Sequence, residues 1–147
     1  MRDLVNNIKT GLGLAPQVVT ADQDGVSIDV RGFDSLAIVV ALGAAGDTLA
    51  ADTKFDFKLQ HAEDNGAGSP DSWEAVGSDD VLYQTVDANG VFLTVDADAE
   101  AGQAYRVGYK GSRRWVRVQT DVTGTHENGT PVAVIAVQGD AHIKPVS

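Results

Sequence analysis

The stretch TKFDFKLQ, Thr53 to Gln60, decides the fold class. Phe55, Phe57 and Leu59 alternate with Lys54, Asp56, Lys58 and Gln60. Successive side chains of an extended chain leave opposite faces, so this period of two predicts a half-buried strand with its three apolar residues turned to the core. Two other stretches, SLAIVVALG (Ser35 to Gly43) and PVAVIAVQG (Pro131 to Gly139), are continuously apolar with β-branched centres. That pattern predicts strands covered on both faces. Further strands are predicted at GVSIDV (Gly25 to Val30), SWEAV (Ser72 to Val76), VLYQTV (Val81 to Val86), GVFLTVD (Gly90 to Asp96), AYRVGYK (Ala104 to Lys110) and RWVRVQTDV (Arg114 to Val122).

Between these runs lie residues that turn the chain. Asp24-Gly25, Asn65-Gly66, Gly68-Ser69-Pro70, Asn89-Gly90, Gly111-Ser112 and Asn128-Gly129 all read as loops. About nine short strands at this spacing, with no amphipathic helix after residue 20, point to a sandwich, jelly roll or barrel. No strand–helix–strand alternation occurs, so a parallel nucleotide-binding sheet is not expected. The reading taken forward is an all-β, antiparallel β-sandwich of jelly-roll type, in one domain over residues 17–147. An immunoglobulin-like order stays open, because strand order is not written in the pattern.

Residues 1–16 differ from the rest. Leu4, Val5, Ile8 and Leu12 fall on one side of a short helix with Asp3 near its start, and Gly11, Gly13 and Pro16 would end it. The segment is expected to be an N-terminal arm, and these four residues are candidate partner contacts.

Composition excludes several kinds of chemistry. The chain has no cysteine, which removes disulfides, thiolate metal sites and cysteine nucleophiles. No apolar run approaches the ~20 residues of a membrane helix, and MRDLVNNIKTGLGLAP lacks the apolar centre of a secretory signal. A net charge of −10 opposes binding to nucleic acid or to an anionic membrane. The charge is also segregated: no Lys or Arg lies between Lys58 and Arg106, whereas Glu63, Asp64, Asp71, Glu74, Asp79, Asp80, Asp87, Asp96, Asp98 and Glu100 do. This is either a solvated acidic surface or a face that meets a basic one.

Residues that could carry chemistry are scattered. His61, His126 and His142 show no spacing that would place two on one helix face or strand. ADQDG (Ala21 to Gly25) is a fragment of an oxygen-rich calcium loop without the later bidentate Glu, so Asp22 and Asp24 read as turn formers. Asp96, Asp98 and Glu100 would share one face of an extended chain and read as solvated acids. Nucleophile elbows, phosphate-cradling loops and dinucleotide fingerprints do not occur. No catalytic residue, cofactor or metal is therefore predicted, and the chain is expected not to be an enzyme.

The stretch GYKGSRRWVRV (Gly108 to Val118) concentrates Lys110, Arg113, Arg114 and Arg117 around Trp115 in this acidic chain. With Val116 and Val118 inward, Trp115 and Arg117 share the outer face. Trp beside Arg is a composition of interface anchors and also of stacking platforms for sugars. Arg113, Trp115 and Arg117 join the candidate contacts. A plainer alternative has Trp115 covered and Arg117 paired with an acid such as Asp96 or Asp98.

Four segments taken together, GFDSLAIVVALGAAGDTL, FKLQHAEDNGAGSPDSWEAV, GYKGSRRWVRV and GTHENGTPVAVIAVQGDAHIKP, resemble a family of small virion proteins of tailed bacteriophages and related prophage elements. The resemblance covers nearly the whole chain and rests on the order and spacing of these motifs. It implies a structural protein of the phage head, a capsid decoration or stabilisation protein made in the host cytoplasm and carried on the virion. Its implied partners are the major capsid protein or another virion protein and further copies of itself, a trimer being favoured. A basic stretch meeting the acidic region of a neighbouring copy is one expected contact. The alternative reading is a carbohydrate-binding β-sandwich, which predicts Trp115, Trp73 or Tyr83 exposed in a line on one face.

Overall fold

A computed structural model describes residues 3–146 of the chain. Eleven strands occur among them: β1 (Lys9–Val19), β2 (Gln23–Asp24), β3 (Ile28–Asp29), β4 (Phe33–Leu42), β5 (Lys54–Ala62), β6 (Glu74–Ala75), β7 (Val81–Leu82), β8 (Val91–Val95), β9 (Ala104–Tyr109), β10 (Trp115–Thr123) and β11 (Thr130–Ala141). They form two antiparallel sheets. The first runs β1-β11-β4-β9-β7. In the second, β10 and β5 are central, with β2 and β3 beside β10 and β6 and β8 beside β5.

The pairing is that of one long hairpin rolled on itself. β1 pairs with the last strand, β11; β2 and β3 with β10; β4 with β9; and β5 with β6 and β8. Most successive segments cross from one sheet to the other, which is the jelly-roll order. The expected all-β sandwich is observed, and its topology is now explicit.

The reason lies in the alternation first seen in TKFDFKLQ. Phe55, Phe57 and Leu59 point between the sheets with 1%, 0% and 0% of their surface exposed. From the facing sheet come Ile38, Val40, Val107 and Val134. Burying side chains of this size contributes about 1.5–3 kcal/mol each.

The apolar strands differ from expectation. β4 and β11 are not covered on both faces: buried and half-buried residues alternate along each. Ala37, Val39 and Ala41, with Ala133, Ile135 and Val137, lie on the outer surface of the first sheet. Their apolar character does not come from core burial.

The N-terminal segment is also corrected. A 3-10 turn spans Val5–Asn7, and β1 begins at Lys9. Leu4 and Val5 are exposed, Ile8 is half-buried, and Leu12 lies within β1. The expected boundary at residue 16 falls inside that strand, and Leu14 belongs to the core. Pairing along β11, from Lys9 opposite Gln138 to Val19 opposite Thr130, gives the backbone partners that a glycine-containing helix could not better. Register shifts between Leu12 and Leu14 and between Leu14 and Gln17 bend β1. With Pro16, they break up the free edge of the sheet.

Two other strands are shorter than expected. VLYQTV keeps only Val81–Leu82, because Tyr83 turns the chain out at a φ of 75°. GVSIDV is split at Gly25 and Val26, whose N–H groups donate to Val118 on β10 (2.8 Å) and Gly13 on β1 (2.7 Å) respectively. This crossing ties the two sheets together.

Candidate functional site

The basic stretch is not a free basic patch, since its arginines have acidic partners within the chain. Just before β10, Arg114 donates from Nε (3.0 Å) and Nη2 (2.8 Å) to the two carboxylate oxygens of Asp29, and from Nη1 to Asp64. Trp115 Nε1 also donates to Asp64, at 3.3 Å, and the Arg114 guanidinium lies 4.9 Å from the Trp115 ring centre. The bonds from Arg114 hold the Asp29 carboxyl below the usual carboxylate range against the opposing effect of burial. For Asp64, burial acts upward, but bonds from Trp115, Gly66 and Gly68 and the charge of Arg114 outweigh it.

Arg117 donates to Gln60 (2.8 Å), pairs with Asp24 (3.2 Å) and stacks 4.6 Å from the Trp73 ring centre. Its partner is therefore Asp24, not Asp96 or Asp98. Arg113 reaches Glu74 at 2.7 Å. The same outer face holds the pairs Lys54–Asp56 (2.7 Å) and Lys58–Asp121. The outer surface of the second sheet is thus a lattice of matched charges.

Beneath it, His61 Nδ1 and the Tyr109 hydroxyl share a buried hydrogen bond of 3.0 Å, and the Arg113 N–H donates to the same hydroxyl at 3.2 Å. Burial pushes the Tyr109 phenol up to about 12. Burial and the charge of Arg113 together lower His61. The histidine ties the C-terminal end of β5 to the C-terminal end of β9.

Other candidates have structural work to do. Asp22 accepts from Val122 N–H at 2.7 Å, and Asp24, which lies in β2, engages Arg117, so both bind β10 rather than closing the local turn expected of them. The Asp96, Asp98 and Glu100 group does not share an extended face. Asp98 begins a 3-10 turn and accepts from Leu49 N–H (2.7 Å), while Glu100 folds back onto Asp96 N–H (2.9 Å). His126 is buried against Phe55 and bonds the Thr123 carbonyl at 3.0 Å; His142 pairs with Asp34 at 2.8 Å.

The outer face of the first sheet is of a different kind. Leu12, Ile135, Val39 and Arg106 occupy adjacent strands in one register row. A second row runs Thr10, Val137, Ala37, Gly108 and Leu82. Leu12 and Leu82 are each 53% exposed. In these rows the one ionisable side chain is Arg106, whose guanidinium carbon lies 4.4 Å from the centre of the Tyr83 ring. Tyr83 is 73% exposed, and the pair borders a shallow cleft of about 290 Å³ that reaches Val39. The three aromatic residues of the sugar-binding expectation do not form a line. Trp73 and Trp115 stand on the second sheet with arginines against their rings, and Tyr83 stands on the first.

Of the expected contact residues, the structure brings Arg113, Trp115 and Arg117 to the charged sheet and Leu12 to the apolar one. Leu4 and Val5 stay exposed by the 3-10 turn, and Ile8 adjoins β1. Sequence reading did not single out Val39, Ile135 or Arg106, and named Tyr83 only for the sugar-binding alternative. A signal for the first two was present: β4 and β11 lack the polar alternation that a water-facing strand shows.

No protein-family model matches the chain, and no curated protein matches it. Among solved structures, the chain is similar to the crystal structure of SPBc2 prophage-derived protein YomS. The two share 12% sequence identity, 90% of this chain and 92% of that one are covered, and the TM-score is 0.47.

Proposed function

We propose that this chain is a structural protein of a tailed-phage virion, seated on the head as a decoration or stabilising protein and acting through protein–protein contacts rather than catalysis. The observation that supports this most directly is the division between its two outer sheet faces. One is neutralised by internal ion pairs; the other is apolar, almost without charge and open. The residues best suited to chemistry, His61, Asp64, Asp98 and Glu100, are engaged in bonds that hold the fold. The motif resemblance along the chain supplies the partner class, a major capsid protein or another virion protein. In such an assembly, many modest contacts repeated by symmetry raise the cost of opening the shell.

Co-sedimentation with assembled capsid shells tests the reading. The expected result is saturable binding of the wild-type chain, weakened when Val39→Asp places a charge on the apolar face. Shells that pellet without the protein at every concentration would remove the proposal.

A further inference from the structure

We propose that the outer face of the first sheet is covered by a second copy of this chain, packed face to face about a two-fold axis parallel to β4 and β11. The inference rests on the reading of that face as a contact surface and names its occupant.

Charge is the first argument. The chain carries −10 overall, so most ways of bringing two copies together set carboxylates against carboxylates. The rows around Ile135 and Val39 contain no acid, and two copies meet there without that repulsion. The second argument is size. With strands about 4.8 Å apart and residues about 3.3 Å along them, the face measures roughly 450 Å² per copy. Two such faces bury close to the ~1,000 Å² at which specific interfaces begin.

Shape and symmetry point the same way. The centre of the face, Ala37, Val39, Ile135 and Val137, carries compact apolar side chains on a sheet, the surface that another sheet packs against at about 10 Å. Rotation about an axis parallel to the central strands exchanges the β1 side for the β9 side. Leu12 of each copy then lies opposite the Arg106–Tyr83 pair of the other, and the contact closes at two chains. Aromatic and arginine side chains at such a position are the usual interface anchors. Tyr83 is held exposed by a left-handed backbone, a conformation that costs energy and concentrates at working surfaces.

Light-scattering mass determination on the isolated chain tests this. The expected mass is twice the 15.4 kDa of one chain. Val39→Asp and Ile135→Asp should weaken association by at least about tenfold while leaving the circular dichroism spectrum unchanged. Because the chain has no cysteine, mixing Leu12→Cys with Arg106→Cys and adding a short bis-maleimide, which spans the ~10 Å between packed sheets where a disulfide could not, should give a cross-linked pair even if the charged variants fold poorly. A single-chain mass at high concentration, a three-chain mass, or an oligomer indifferent to both charged variants would each overturn the proposal. A monomer whose shell binding is nevertheless lost in Val39→Asp would overturn the second copy alone and leave the capsid on that face. A monomer that ignores shells would overturn both.

Discussion

Arg114 grips Asp29 at two points, with Nε and Nη2 at 3.0 and 2.8 Å from its two carboxylate oxygens, across 85 residues of sequence. The remaining nitrogen of the fork reaches Asp64. One side chain thereby fixes β3, the start of β10 and the loop after β5. In an acidic chain with few cations, arginines serve as cross-links between segments that the jelly-roll order brings together. This explains why the basic stretch, so conspicuous in sequence, is not an exposed basic patch in the structure.

Asp29→Asn should cost about 1–2 kcal/mol at pH 7, the worth of charge-assisted bonds at a partly buried site. Because the folded-state carboxyl is held below its unfolded value, its contribution is complete above about pH 4 and lost as pH falls through the folded value. Urea unfolding of both proteins should show the gap at neutral pH and its closure once pH has fallen through the folded value. A gap that persists undiminished in acid would mean the loss is one of packing, not of charge.

Tyr109→Phe leaves His61 Nδ1 and the Arg113 N–H without their shared partner and should cost about 1–3 kcal/mol. Its pH signature is two-sided. The wild-type phenol titrates at about 12 in the folded chain, so stability falls as pH rises from about 10, where the unfolded phenol ionises, towards that value. The variant should lack this alkaline loss. On the acid side, His61 is lowered in the folded state, so stability should decline below about pH 6.5 in any variant that keeps the buried imidazole. Thermal melts from pH 5 to 11 read both limbs.

A chain begun at Lys9 should melt within about 1 kcal/mol of the full chain, since Leu4 and Val5 are exposed. A chain begun at Gln17 loses most of β1, uncovers the edge of the 12-residue, valine-rich β11, and discards buried Leu14, worth about 2 kcal/mol by itself. It should aggregate. A soluble, cooperatively folded product from the shorter chain would restore the idea of a dispensable arm.

These cases mark how far the sequence could be read. Alternation in TKFDFKLQ located β5 and its inward residues, because period two is a local property. The continuous apolar runs of β4 and β11 were legible as strands but not as surfaces, since a half-buried apolar outer face and a core face have the same composition. Partners such as Asp29 for Arg114 were hidden, because the pairing of early with late strands sets distant residues side by side. The helical look of Leu4 to Leu12 lost to tertiary pairing, which no local propensity registers.

Gly25→Ala should be among the most damaging small changes. A Cβ there would lie 2.6 Å from the Gly13 carbonyl oxygen and closer still to that of Val118, both backbone atoms with no freedom to withdraw. The chain crosses between the sheets at this point, with Gly25 N–H bonded to Val118 and Val26 N–H to Gly13. Overpacking of this kind costs about 1–3 kcal/mol. Gly11→Ala, where a Cβ would meet nothing within 4 Å, is the control and should be nearly silent. Equal losses in urea midpoint would show that strand propensity, not the crossing, governs both sites.

Tyr83 separates internal stability from assembly. Its φ of 75° costs a residue with a Cβ about 1–2 kcal/mol. Within the chain its ring has the exposed contact with Arg106, worth about 0.5–1 kcal/mol. Replacement by glycine removes both the strain and the contact and adds about 0.5–1 kcal/mol of unfolded-state entropy. These nearly cancel, so Tyr83→Gly should change monomer stability by less than about 1 kcal/mol. Tyr83→Ala keeps the strain without the ring and should be the less stable of the two. Self-association measured by light scattering should fall in both, because both lose the anchor. If Tyr83→Gly instead unfolds at much lower urea while association among its folded molecules is unchanged, the ring is an internal buttress, and the rim of the apolar face must find its anchor elsewhere.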